Sequence, residues 1–158
     1  IVEDLNAPHV LALQEVENQA VLDRLADRLA QRGYRYRSAL REGNDPSGMD
    51  VAIMYRSPVN IGSVSTLFSG QQFHGHALYA RPPLVVALEA PLAANVVVVH
   101  WRSARNLKKA WVHEKRQTQA ALLANWVTMQ TSPLIVAADF NMTWHAGRFP
   151  ASPERYSQ

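Results

Sequence analysis

Three apolar runs in the chain each give way to a side chain suited to polar chemistry. VLALQE ends at Glu15, VVVVH ends at His100, and LIVAAD ends at Asp139 with Asn141 two positions later. In each, an oily run anchors the backbone and the first strongly polar group emerges at the C-terminal edge, where α/β proteins collect their ligands. Glu15 is a hard oxygen donor of the kind that suits Mg²⁺ or Mn²⁺, or else a surface acid where a strand meets a helix. The imidazole of His100 can donate to a non-bridging phosphoryl oxygen as charge develops there; the competing reading is a satisfied core histidine. If Asp139–Phe140–Asn141 stays extended, both polar side chains point one way and Phe140 points into packing. Asp139 can then take a metal or orient a water, and Asn141 can donate to a phosphoryl oxygen. An Asx turn that ends the strand is the alternative.

Other groups gather around these three. Arg81 stands before Pro82 and Pro83, so its backbone is stiff. It could clamp a phosphate with both arms or be a surface arginine. His74 and His76 form an H-x-H pair, too common to specify zinc. Arg102, Arg105, Lys108 and Lys109 with Trp111, extended by Lys115 and Arg116, could track a nucleic-acid backbone or form a solvated loop and helix start. Trp144 and His145 follow Asn141 closely enough to border a site there.

These side chains need elements to hold them. Residues 1–6 read as the last turns of a helix, and His9–Val16 as a strand. Asn18 is placed to cap a helix carrying Val21, Leu22, Leu25, Ala26 and Leu29, ended by Gly33. YRYRSAL alternates like an outer strand, REGNDPSG is a loop by composition, and MDVAIMYR is a strand. Val59–Leu67 predicts an antiparallel strand, while residues 70–81 carry no clear pattern. LVVALEA and NVVVVH are strands, residues 102–111 a basic loop, residues 113–129 a helix with Ala120, Leu123, Trp126 and Val127 on one side, and LIVAA a buried strand. Everything after Asp139 reads as loop. Strands buried on both faces call for helical layers outside the sheets. The expected fold is an α/β (α+β) four-layered sandwich of two mostly antiparallel sheets flanked by helices.

Composition agrees with one domain. The chain has 158 residues, 47% of them hydrophobic, enough for a real core. With no cysteine, disulfides, thiolate metal sites and a cysteine nucleophile are excluded. No apolar run reaches the roughly 18 residues of a membrane span. A net charge of +3 is compatible with a phosphate-bearing substrate. Ile1 in place of an initiating Met, and an aperiodic FPASPERYSQ at the other end, suggest cut termini. A secreted or periplasmic location is slightly favoured over a cytoplasmic one.

Taken together, LQEVEN (Leu13–Asn18), GMDVAIMYR (Gly48–Arg56), RPPL (Arg81–Leu84), VVVHWRS (Val97–Ser103), RQTQA (Arg116–Ala120) and ADFN (Ala138–Asn141) resemble, in order, the endonuclease/exonuclease/phosphatase superfamily with the fold of pancreatic deoxyribonuclease. Arg102 and Ser103 stand where bacterial members carry a lysine–serine pair, and Ala138 replaces a usual glycine. The resemblance implies hydrolysis of phosphodiester bonds with Mg²⁺ or Mn²⁺, most simply of nucleic acid. Alternatives are a phosphomonoesterase, a phospholipase or a non-catalytic remnant that only binds. It implies Glu15 as the metal-binding glutamate, Asp139 and Asn141 as the pair orienting nucleophile and phosphate, and His100 and Arg81 as phosphate contacts. Asp50 and Tyr55 fall on a strand that is mainly structural. The family's upstream asparagine, later aspartate and C-terminal aspartate–histidine pair have no counterpart here. Residues 1–158 therefore read as a partial domain, poorly active or inactive alone.

Overall fold

The computed structural model of the protein describes residues 1–103, 105–106 and 108–142. Its strands are β1 (Val10–Val16), β2 (Arg37–Leu40), β3 (Asp50–Tyr55), β4 (Ile61–Thr66), β5 (Gln72–Phe73), β6 (His76–Ala77), β7 (Leu84–Leu88), β8 (Ala94–His100) and β9 (Leu134–Asp139). Helix α1 spans Gln19–Ala30 and α2 spans Ala110–Thr128.

Two sheets carry the fold, ordered β1-β3-β2 and β4-β7-β8-β9, with β5-β6 a separate hairpin. All ladder pairs are antiparallel except β8 with β9. The inner faces meet through Val51, Ile53 and Tyr55 of β3 against Leu84, Val86, Val96 and Val98 of β7 and β8. Each such side chain, fully buried, contributes about 1.5–3 kcal/mol before ordering costs. Outside the first sheet, Leu22 and Leu29 of α1 cover Leu11, Ala52 and Met54. Outside the second, Leu123 of α2, with Trp126 and Val127, covers Val97 and Val99. The order helix, sheet, sheet, helix is the expected four-layered arrangement. It explains why β3 is buried along its whole length: it has α1 on one face and a sheet on the other.

Local signals placed most elements well. The Asn18 side chain accepts from Val21 N–H at 3.0 Å and caps α1. Gly33, at φ +87°, turns the chain out of that helix. Four expectations need correction. Residues 1–6 make one hydrogen-bonded turn, not the end of a helix, because Asn6 and Ala7 adopt positive φ and stop it. Only Arg37–Leu40 of YRYRSAL pairs with a neighbouring strand. The stretch 70–81 contains β5 and β6, joined by His74–Gly75 with φ of +49° and +75°, the turn that matches strand twist. Finally, β9 is not fully buried: Ile135 is 53% exposed, since among the described residues β9 pairs with β8 alone and helix α2 covers only part of it.

Candidate active site

The parallel ladder between β8 and β9 sets the centre of the site, because its register puts His100 beside Asp139. Trp101 N–H donates to the Asp139 carbonyl at 3.0 Å and carries the pairing one residue further. There the chain turns. Asp139 Oδ1 accepts the Asn141 N–H at 2.7 Å, and Asn141 takes φ +49°. Asp139 and Asn141 are therefore not side by side on an extended strand: the short carboxylate captures the amide two residues on and closes an Asx turn. Asn141 Nδ2 donates to the Trp101 carbonyl at 2.9 Å, so its amide ties the two strand exits together. Phe140 packs edge-on against Trp101, as a packing residue should.

The turn leaves Asp139 Oδ2 free, 3.6 Å from His100 Nε2. That is too long for a hydrogen bond. His100 is buried, and Arg81 Nη1 lies 3.0 Å from its Nδ1. A guanidinium cannot accept, so Nδ1 is the acceptor and Nε2 carries the proton. Burial, then the Arg81 charge, hold His100 below the usual histidine range against the upward pull of Asp139, Glu15 and Asp45. The contact with Asp139 is thus from a neutral imidazole and is not an ion pair. His100 is neither an isolated core histidine nor a general cation; it presents a fixed N–H donor beside an open carboxylate oxygen.

Arg81 is no surface arginine. Its side chain is 16% exposed, and Nη2 pairs with Asp45 Oδ2 at 2.8 Å. Burial pushes the Asp45 carboxyl up, but bonds from the Ser47 hydroxyl and N–H, together with Arg81, outweigh it and hold the group below its ordinary value. The loop carrying Asp45 is docked by backbone contacts. Asn44 N–H donates to the Ala80 carbonyl at 2.7 Å, and Gly43 N–H donates to Asp50 Oδ1 at 2.8 Å. A Cβ on Gly43 would lie 2.6 Å from the Ala80 oxygen, so only glycine permits this approach. Asp50 is buried, and burial raises its carboxyl. It supports the site without facing it.

Arg116 braces the exits of β8 and β9. Its Nη2 donates to the carbonyls of Phe140 and Asn141, each at 3.1 Å, and its Nη1 donates to the Arg102 carbonyl. In front lies a cleft of about 280 Å³ lined by Arg81, His100, Arg102, Ser103, Arg105 and Lys115 among others. Burial, then Arg102, lower the Lys115 ammonium from its normal range. Arg102 Nε has no hydrogen-bond partner among the described residues. The basic run therefore divides: Arg102, Arg105 and Lys115 face the cleft, while Arg116 is a brace.

Glu15 stands apart. It is exposed, on an irregularity of the β1–β3 ladder between Leu13 and Val16, with φ +57°. The strand runs one residue beyond it, so Glu15 projects from a bulge and not from the strand's last position. Its charge reaches His100, but no three His, Asp or Glu side chains converge on a common point among the described residues. That donor set does not suit tetrahedral zinc, and His74 and His76 find no third ligand there. A single exposed carboxylate is compatible with Mg²⁺, which keeps its waters and needs only one or two carboxylates beside substrate phosphates.

A sequence model of the Endonuclease/Exonuclease/phosphatase family matches residues 1–157. The chain belongs to that family. No curated protein matches it in sequence. Among solved structures, D. rerio TDP2 complexed with single strand DNA product is 21% identical with a TM-score of 0.61, the match covering 89% of this chain and 50% of that one. TDP2 from C. elegans is 18% identical with a TM-score of 0.61, covering 90% and 40%. ANGEL2, a 2',3'-cyclic phosphatase, in complex with adenosine-2',3'-vanadate, is 21% identical with a TM-score of 0.58, covering 85% and 40%. At such identities the shared property is the fold. The chain spans half or less of the length of these three structures.

Within this member of the endonuclease/exonuclease/phosphatase family, His100, Asp139 and Arg81 come together, Asn141 joins through the backbone, and Glu15 lies within electrostatic reach. Trp144 and His145 lie outside the described residues. Sequence reasoning missed Asp45, which sits in a loop whose composition says only "turn". It placed Lys115 at the end of the basic run, as a backbone-tracking or solvated group, and did not foresee its burial. The spacing Val112, Lys115, Gln119, Leu123 was the available signal, since all four are buried on one stripe of α2.

Proposed function

We propose that the protein hydrolyses phosphodiester bonds in a divalent-metal-dependent reaction, acting as a nuclease. The observation that carries this reading is the fixed His100 N–H donor beside the open Asp139 oxygen, with His100 lining a cationic cleft. Membership of the family supports it. So does the presence of a DNA product on a protein of the same fold.

In this reading a substrate phosphate enters the cleft and is held by Arg81, Arg102 and Lys115. His100 Nε2–H donates to a non-bridging oxygen, whose charge grows as water attacks phosphorus and the P–O bond to the leaving oxygen breaks. Asp139 Oδ2, half exposed, orients the attacking water. Asn141 keeps the exits of β8 and β9 in position. Mg²⁺ or Mn²⁺, held by Glu15 and the substrate, would supply Lewis-acid stabilisation of the leaving oxygen. Among the described residues no helix is long and apolar enough to cross a membrane.

The test is incubation with supercoiled plasmid DNA and Mg²⁺, with and without EDTA. Metal-dependent nicking is expected, weak from residues 1–158 alone, and His100→Ala should remove it. Turnover of a phosphomonoester, phospholipid or inositol phosphate with DNA left intact would overturn the nuclease reading in favour of a phosphatase or phospholipase. Binding of DNA without any turnover would mark a remnant that only binds.

A further inference from the structure

A second cavity of about 280 Å³ lies beside the cationic cleft, lined by Phe73, His74, His76, Trp111 and Lys115. Lys115 lines both cavities, so the two are neighbours. Their chemistry differs. The first is cationic; the second is walled by aromatic rings, with Lys115, whose ammonium gives one of its three donors to the Ala77 carbonyl, as its charged member. Its volume is near the lower end of small-molecule sites, about 300 Å³.

The walls are fixed by three hydrogen bonds between the hairpin stem and α2. The Tyr79 hydroxyl donates to the Gln119 carbonyl at 2.6 Å, Gln119 Nε2 donates to the Leu78 carbonyl at 2.9 Å, and Lys115 Nζ donates to Ala77. Leu78 and Tyr79 are buried, so the hairpin cannot swing without breaking core packing. On its β5–β6 face, Phe73 and His76 are directly paired, and His74 stands edge-on to Phe73 with ring centroids 4.4 Å apart. Opposite, Trp111 is 43% exposed on the first turn of α2. The Arg102 guanidinium lies 4.5 Å from its ring centroid and also lines the cleft, linking the two cavities a second time. A large exposed tryptophan on a rigid, pre-formed wall contributes little to the core.

We propose that this cavity is a nucleobase subsite, taking the base of the nucleotide whose phosphate occupies the neighbouring cleft. The proposal rests on the phosphodiesterase reading and names the substrate class of the same site. A planar base has π faces for Trp111 and Phe73 to stack on, and Lys115, shared by both cavities, and Arg102, over Trp111 and in the cleft, are placed to meet its phosphate. Stacking of this kind tolerates any base, so the subsite selects nucleotides over base-free phosphodiesters without reading sequence.

The experiment measures binding in EDTA, by fluorescence anisotropy, of a labelled thymidine dinucleotide and of the same molecule with one base replaced by a tetrahydrofuran abasic residue. Wild-type protein should bind the base-containing probe about tenfold more tightly, the size of one base–aromatic stack. Trp111→Leu and Phe73→Ala should each erase that preference while leaving the abasic probe bound as before, and Trp111→Phe should retain most of it. Equal binding of the two probes by wild type, or an unchanged preference in Trp111→Leu and Phe73→Ala, overturns the subsite. Cleavage of both probes in Mg²⁺ is read separately. A base preference in binding without cleavage sinks the hydrolase reading and leaves the subsite standing; cleavage with no base preference does the reverse.

Discussion

His100 and Asp139 end neighbouring parallel strands in register, with His100 Nε2 3.6 Å from Asp139 Oδ2 and His100 Nδ1 accepting from Arg81. The Arg81 contact sets the tautomer, with Nε2 carrying the proton toward Asp139. Predictions about the site start from that arrangement.

Burial and Arg81 keep His100 from protonating in the usual range, so its NMR titration midpoint should fall below about 6.5. Asp139→Asn removes a charge that raises the value and should lower the midpoint further. Arg81→Gln removes one that lowers it and should raise the midpoint. For stability the sign follows from proton uptake. As pH falls through about 6.5 the unfolded chain takes up a proton that the fold refuses, so the fold loses stability until its own lower value is reached. A midpoint above the ordinary value would contradict the Nδ1-acceptor assignment.

Asp45 has the same sign in a lower pH window. Its folded carboxyl lies below its ordinary value, so its contribution is complete above about 3.9 and is lost as pH falls through the folded value. Asp45→Asn should cost on the order of 3 kcal/mol, because it leaves Arg81 largely buried without its counter-ion. Urea denaturation at neutral pH measures this, and the difference from wild type should shrink in acid.

Gly43→Ala places a Cβ against the Ala80 carbonyl and should displace the Asp45 loop. The expected cost is about 1–3 kcal/mol, read as a lower urea midpoint at unchanged slope. A neutral result would mean that the loop is not held as tightly as its contacts to Ala80 and Asp50 require.

Arg116→Lys keeps the charge but loses the fork that spans three carbonyls. Hydrogen exchange should speed up at the exits of β8 and β9 while the sheet centres stay protected, and any DNA cleavage should fall through kcat more than KM.

In this reading Mg²⁺ binding beside a substrate phosphate should require Glu15. Calorimetric heat of Mg²⁺ binding in the presence of a phosphodiester should vanish in Glu15→Ala and survive in Asp45→Asn. Equal heats in wild type and Glu15→Ala would remove Glu15 from the metal site.

Much of the architecture was legible because its physics is local. Apolar runs of strand length, the Asn18 cap and the Gly33 stop are written in adjacent residues, and they sufficed for the layers and for the strand exits at His100 and Asp139. What those residues do to one another was not legible. The parallel register joining His100 to Asp139 and the Asp45–Arg81–His100 chain connect segments 19 to 39 positions apart, and they decided between the extended strand and the Asx turn that the sequence left open at Asp139. Tertiary structure alone decided them, because a side chain's partner, tautomer and charge are set by what packs against it, and that depends on how the two sheets and the 41–48 loop come together.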